Sequence, residues 1–326
     1  MNPPLSRFQK KLCNALQRGL PLCGRPFAEI AGELGTDEAT VLEETRALLK
    51  AGVIRRVCAV VNHRALGMSG TLVTAHVPPE KLAEVAEAVN RLPGVSHNYL
   101  RNHNYNLWFT LQEKTPQRMQ QTLRDLEQQS GVVFHSLPVT RVFKLDVRFD
   151  AEAEEDVLVQ ETPRVPGTEP VALNADQESL LAQLPGNLEV EPRPYEAFRA
   201  GRWSEDEVLR LLGELQDAGV IRRVAAVMNH RKLGYTANVM FAAEVPGAAI
   251  GTAGPRLARF RTVSHCYERE TFAGWPYNLF AMMHGRSMGQ IQRTIDKFIE
   301  PGDVRAHELL PTQTELKKQP VRHHLL

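Results

Sequence analysis

Cysteine is scarce: the 326 residues hold four (Cys13, Cys23, Cys58 and Cys266), none in a Cys-x-x-Cys pair and none regularly spaced. Neither a zinc site nor a disulfide framework is indicated, no metal ligand set is expected, and the thiols read as small buried hydrophobes. No stretch approaches the roughly 18 uninterrupted apolar residues of a membrane helix, and residues 1–11 lack the apolar core of a signal peptide, so a cytoplasmic location without a membrane partner is expected. An excess of one charge is missing as well: 39 Lys plus Arg stand against 38 Asp plus Glu. That balance argues against a strongly basic nucleic-acid binder and against an acidic disordered chain. No Gly-rich phosphate loop, Gly-x-Ser-x-Gly elbow or His-Glu-x-x-His stands in the context that its chemistry requires. Hydrolase, kinase and dinucleotide-dependent readings therefore lack support.

What is present is a duplication. Residues 51–67 read AGVIRRVCAVVNHRALG and residues 218–234 read AGVIRRVAAVMNHRKLG, differing only at Cys58/Ala225, Val61/Met228 and Ala65/Lys232. A second pair follows, VSHNYLRNHNYNLWF from Val95 and VSHCYERETFAGWPYNLF from Val263, the latter longer by four residues before its Tyr-Asn-Leu. Between the copies, residues 151–170 combine acidic residues with three prolines and read as a linker.

Each copy opens with helical patterning. Phe8, Leu12, Ala15 and Leu16 lie at helical spacing, Phe27, Ile30, Ala31 and Leu34 form a second run, and Thr36 to Lys50 a third helix stopped by Gly52. The second copy repeats the ending, Ser204 to Gly219, behind a less regular approach containing Pro192 and Pro194. The pattern then becomes β, β, α, β, β, α, β. The fold class expected is α+β, a tandem duplication in which each half is a winged-helix-like domain followed by a ferredoxin-like antiparallel sandwich. The boundaries expected are 1–56 and 57–150 for the first copy, and 171–223 and 224–326 for the second. The bare face of each sheet must meet something, and the copies are expected to associate as an intramolecular pseudo-dimer; a further homo-oligomer is left open.

The three-helix start, the Gly-Val-Ile closure, the Ala-Val-x-Asn-x-x-x-Leu-Gly segment and the sandwich resemble the Lrp/AsnC architecture. Gly-Val-Ile-Arg-Arg with Asn-His-Arg-x-Leu-Gly, Ser-His-(Asn/Cys)-Tyr-x-Arg and (Asn/Pro)-Tyr-Asn-Leu-(Trp/Phe) more narrowly resemble the siroheme decarboxylases, the NirD/NirL and AhbA/AhbB proteins, here as a NirD–NirL-like fusion. The rival from another class is an effector-binding transcription regulator. Charge weighs against it. The third helix carries Asp37, Glu38, Glu43 and Glu44 against Arg46 and Lys50, and its counterpart Glu205, Asp206, Glu207, Glu214 and Asp217 against Arg210. A groove-reading helix needs cations for the phosphates, so the helical domains read as scaffold and no nucleic-acid partner is expected.

Side chains two apart on a strand share a face, so His97, Tyr99 and Arg101 form a row, joined by His103 if the strand continues. His265, Tyr267 and Arg269 repeat it. Tyr105, Trp108 and Phe109 crowd the first row, and Phe272, Trp275, Tyr277 and Phe280 the second. A solvated sheet face beside an aromatic core explains this pattern too; a flat macrocycle lined by rings and tied by cations would use it. Arg55 and Arg56, with Arg222 and Arg223, begin a strand, so one of each pair should face the sheet and the other solvent. Arg suits bidentate carboxylate binding, although a basic wing or surface ion pairs would place arginines there equally. His63 and His230 read as turn or interface residues.

The resemblance implies that siroheme loses carbon dioxide from its C12 and C18 acetates, giving 12,18-didecarboxysiroheme on a route to heme d1 or haem, with no further cofactor. For that chemistry His97 is expected to be the principal general acid, with His103 or Tyr99 as second donor. Arg101 with Arg55 or Arg56 would hold the carboxylates that stay, Tyr105 and Trp108 would line the ring, and His265, Tyr267 and Arg269, with Arg222 and Arg223, would form a second site or orient the ring.

Overall fold

A computed structural model describes residues 4–153, 160–163, 165, 167, 169–184, 186–199 and 201–318. In the first copy α1 (Arg7–Arg18), α2 (Pro26–Leu34) and α3 (Glu38–Lys50) lead into β1 (Ile54–Val61) and β2 (Ser69–Ala75), then α4 (Leu82–Arg91), β3 (Val95–Arg101), β4 (Leu107–Glu113), α5 (Pro116–Ser130) and β5 (Phe134–Leu145). In the second, α6 (Ala175–Leu181), a 3-10 turn over Pro194–Phe198 and α7 (Glu205–Asp217) precede β6 (Ile221–Met228) and β7 (Ala237–Glu244), followed by α8 (Ile250–Ala258), β8 (Val263–Arg269), β9 (Leu279–Gly285), α9 (Met288–Ile299) and β10 (Ala306–Lys318). No helix among the described residues is long and apolar enough to cross a membrane.

The chain divides into two compact units, and each draws on both copies. One comprises Met1–Leu66, Arg148–Glu154 and Pro166–Thr236; the other Gly67–Val147, Glu155–Val165 and Ala237–Leu326. The expected boundaries at 56 and 223 thus move to 66 and 236, because β1 and β6 pair with each other and stay with the helices. Among the described linker residues Gln160 bridges to Phe260, and Glu161 accepts from Lys144 at 2.8 Å; residues 154–159, 164, 166 and 168 lie outside the described set.

In the helical unit Asp37 caps α3 by accepting from the Thr40 N–H, a bond that also lowers its pKa. The Gly-Val-Ile motif ends the helix: Gly52 sits at φ 67° and Gly219 at φ 73°, while Val53 and Val220 N–H groups reach back to Leu48 and Leu215 carbonyls at 2.9 Å. A Cβ at Gly219 meets open space, so Gly219→Ala tests the left-handed conformation alone and will cost about 1–2 kcal/mol. Gly213, inside α7 with nothing within 4 Å, is the control: in equilibrium urea unfolding of both variants, Gly213→Ala will gain about 0.5–1 kcal/mol.

β1 and β6 form a two-stranded antiparallel ribbon with Cys58 opposite Ala225. Val57, Val224 and Ala226 enter the helical core. The repeated asparagines close the ribbon reciprocally, Asn62 N–H donating to Val220 O and Asn229 N–H to Val53 O, both at 2.8 Å. This bonding across the copies explains much of the motif's repetition without any chemistry.

In the other unit all eight strands form one closed barrel, in the order β10-β3-β4-β2-β5-β8-β9-β7. Each copy contributes the expected antiparallel strands and helices. What the bare faces meet is each other, and closure comes from strand exchange. β5 pairs with its own β2 through Phe134–Pro138, then with β8 of the other copy through Val139–Leu145. β10 likewise pairs with β7 through Ala306–Pro311 and with β3 through Thr312–Lys318. Apolar side chains of α4 and α5 join those of the first copy's strands in one cluster, and those of α8 and α9 join the second copy's in another. The exchanged strands are pinned by Lys317, which donates to Leu92 O, and Lys144, which donates to Phe260 O, both at 3.1 Å near the C-terminal end of the other copy's first sandwich helix. Leu72, Trp108, Leu137, Met240, Ala242, Trp275, Phe280 and Leu310 make a separate cluster. Val73, Phe109, Val239, Phe241 and Ala281, which flank its members along the strands, pack with the helices, so this cluster fills the inside.

Candidate functional site

Period two places the His–Tyr–Arg rows on the inner face of the barrel. Tyr99 lies opposite Trp108 and Tyr267 opposite Phe280, both rings of the inner cluster, whereas Asn98 and Cys266 point to the helices. His97 and Tyr99 are half-buried, with ring centroids 6.1 Å apart and planes at 29°. The Arg101 guanidinium stands 5.4 Å from the Tyr99 ring centroid. In the second row His265 and Tyr267 cross at 82° with centroids 5.9 Å apart, and Arg269 stands 5.0 Å from the Tyr267 ring.

The structure gives each arginine an internal partner. Arg101 is 3 % exposed and donates to the Leu310 carbonyl of β10. Arg269 donates to Leu137 O of β5 at 2.8 Å. Each therefore ties its row to the exchanged strand of the other copy, at equivalent positions. Burial lowers the Arg101 pKa to about 10, against a smaller opposing effect of Tyr99, so it stays a cation at neutral pH. The Arg101 guanidinium, expected to anchor a carboxylate, is here enclosed, with Nη1 bonded within the protein.

His103 does not extend the row. β3 ends at Arg101, whose N–H closes the hairpin on Asn106 O at 2.8 Å, and His103 turns into an aromatic group. Its Nδ1 accepts from the Tyr105 N–H at 3.0 Å, and its ring meets Trp275 edge-on at 5.5 Å. Trp108, expected to line a ligand, is 1 % exposed and donates its indole N–H to Tyr105 O at 2.7 Å, so it is core. Tyr105 is half-buried between His135 and Phe272.

The sequence reading missed His135, which stacks on Phe272 at 4.0 Å with planes 2° apart. Burial lowers its pKa, partly opposed by Glu127. Because the folded value lies below the unfolded one, its share of stability is full above about pH 6.5 and is lost as acid protonates the unfolded state first. His135→Phe keeps the stack without the titration, so the drop in Tm between pH 7 and pH 5 will be smaller than in the parent; an equal drop would remove His135 from this role.

On the ribbon, Arg55 is exposed and Arg56, Arg222 and Arg223 are half-buried. Burial pushes the Cys58 thiol up, partly offset by Arg56 and Arg223, which places both cations near it. Cys13 and Cys266 are buried as expected, and Cys23 is half-buried. His230 is buried against Phe149, with ring centroids 5.6 Å apart. On the acidic helices Arg46 pairs with Glu191 at 3.0 Å and Arg210 with Glu214.

Winged-helix segments joined to paired α/β sandwiches that close into one barrel define the class of AsnC-like ligand-binding proteins. Residues 65–144 and 232–317 match the AsnC-like ligand binding domain, and residues 9–55 match the siroheme decarboxylase NirDL-like HTH domain. A siroheme decarboxylase of Hydrogenobacter thermophilus is 34 % identical over 96 % of this chain and 94 % of its own, and the siroheme decarboxylase NirDL subunit of Paracoccus denitrificans is 33 % identical over 87 % of each. A crystal structure of the siroheme decarboxylase NirDL in co-complex with an iron-uroporphyrin III analogue is 31 % identical, covers 97 % of this chain and 94 % of that one, and superposes with a TM-score of 0.72. The chain belongs to the siroheme decarboxylase family, a family of carboxy-lyases.

Proposed function

We propose that this chain decarboxylates siroheme at the C12 and C18 acetates, giving 12,18-didecarboxysiroheme on a route to heme d1 or haem. The observation that carries the reading is the pair of His–Tyr–Arg rows on the inner face of one barrel, in a chain related over nearly its whole length to siroheme decarboxylases. The relative crystallised with an iron-uroporphyrin III analogue supports a tetrapyrrole as the ligand class.

Each decarboxylation consumes one proton. The bond between methylene and carboxylate carbon breaks, carbon dioxide leaves without the bonding pair, and the ring shares that pair until a proton converts the methylene to methyl. His97 is the donor in this reading, since an imidazole of ordinary pKa about 6.5 holds a transferable proton near neutrality, and Tyr99 is the second donor. His265 and Tyr267 either serve a second site or orient the ring. A reacting acetate is favoured in an apolar surrounding, because desolvation raises a carboxylate above neutral carbon dioxide. Arg55, Arg56, Arg222 and Arg223, expected as anchors for carboxylates that stay, belong to the helical unit and form no part of the proposed barrel site.

Anaerobic incubation of the purified chain with siroheme, followed by mass analysis, will show loss of two carbon dioxide units per ring. Recovery of intact siroheme would sink the reading. The regulator reading predicts salt-sensitive DNA binding; with α3 and α7 net acidic, a gel-shift titration over salt will show none.

A further inference from the structure

The two rows look alike from the inside of the barrel and differ behind the histidine. In the first copy Ser96 Oγ lies 2.8 Å from His97 Nδ1 and 2.9 Å from Thr110 Oγ1. Neighbouring side chains on a regular strand point to opposite faces. Here the pairing of β3 with β4 slips between Val95 and His97, and the serine reaches the ring beside it. The second copy has the same slip between Val263 and His265 and the same serine, Ser264. There Met282 replaces Thr110 across the strand, and Ser264 turns away, donating to Met282 O at 3.0 Å and lying 3.1 Å from His284 Nδ1. His265 Nδ1 instead lies 3.5 Å from the Tyr267 hydroxyl. The backbone irregularity is therefore not enough to bring serine and histidine together; the threonine hydroxyl accompanies the difference.

We propose that Ser96 and Thr110 are positioning residues for His97, a two-hydroxyl chain that holds the imidazole proton on Nδ1 and makes the first copy the half that delivers protons. The inference rests on the reading of His97 as proton donor. His97 Nδ1–H donates to Ser96 Oγ, and the Ser96 hydroxyl donates to Thr110 Oγ1. Which ring nitrogen keeps its proton is set by the bond the other makes, so Nε2 becomes the nitrogen that gives a proton up. When the imidazolium acts, its Nε2–H bond breaks, a C–H bond forms on the substrate methylene, and the nitrogen keeps the pair. The ring left behind is the neutral Nδ1–H form, with both hydrogen bonds to the hydroxyls unchanged. Ring orientation is the same before and after transfer, and solvent restores the Nε2 proton.

The test reads the tautomer directly. In the full chain labelled with 15N-histidine, the His97 signals are identified by their loss in His97→Gln, and at a pH where the ring is neutral they will show the Nδ1–H form. Ser96→Ala and Thr110→Val, the latter nearly isosteric, will shift them toward Nε2–H. Ser96→Thr and Thr110→Ser, which keep the hydroxyls, will retain the parent spectrum. With siroheme, the hydroxyl-free variants will lose about tenfold or more in kcat at unchanged KM, the range seen for partners that orient a functional histidine. An Nε2–H tautomer in the parent, or a tautomer indifferent to both removals, overturns the proposal, as does a shifted tautomer with full kcat. Parent-level turnover in His97→Ala would instead overturn the assignment of the donor, and with it the half that delivers protons.

Discussion

Replacing His97 with alanine will lower siroheme turnover by about a hundredfold to ten-thousandfold, the range expected when a positioned general acid is removed, while the Kd for the pigment changes little. His97 sits on the inner face of the barrel with Tyr99 next to it and with hydroxyls behind it. Losing it removes the proton source and leaves Tyr99, Arg101 and the rings of the inner cluster in place. Single-turnover mixing under anaerobic conditions separates the two quantities: the spectrum on mixing reports binding, and mass analysis of the quenched product reports loss of carbon dioxide. His265→Ala is the comparison, and its effect on kcat will be smaller. Normal turnover after the His97 change would remove this residue from the chemistry.

The largest effect on stability will come from Trp275. It belongs to the longer hairpin of the second copy and is 1 % exposed. Its ring lies 4.8 Å from Tyr277 and 5.3 Å from Trp108, and it meets His103 and Tyr105 edge-on at 5.5 and 5.8 Å. Truncating a buried tryptophan leaves a cavity that close-packed neighbours refill only in part, and Trp275→Ala will lower the unfolding free energy by about 3–5 kcal/mol. Trp275→Phe, which keeps an edge-to-face partner, will lose less. Equilibrium urea unfolding followed by near-ultraviolet circular dichroism measures both, and a loss below about 1 kcal/mol for the alanine variant would show that the hairpin only covers the inner cluster.

Much of this was legible in the sequence because it depends on local periodicity. The order of strands and helices in each copy follows from apolar spacing, and the sharing of one face by His97, Tyr99 and Arg101 follows from the alternation of a strand. His103 escaped because the same alternation, run one step too far, takes no account of the hairpin that Asn106 closes. The internal partners of Arg101 and Arg269 depend on which strands exchange, and no local pattern encodes the point at which β5 leaves β2 for β8. Ser96 was visible as part of the repeated Val-Ser-His. The meaning of Thr110 against Met282 appears only once register and its slip are known.

The exchange of β5 and β10 makes the two copies inseparable in a further sense. A protease nick between them would release nothing, because each severed fragment would still be interlocked with the other through a strand on loan. Either piece made alone would expose raw sheet edges that only its counterpart satisfies. Joining both in one polypeptide guarantees their equimolar supply, and it obliges the two to keep matching seams, however far their inner surfaces diverge.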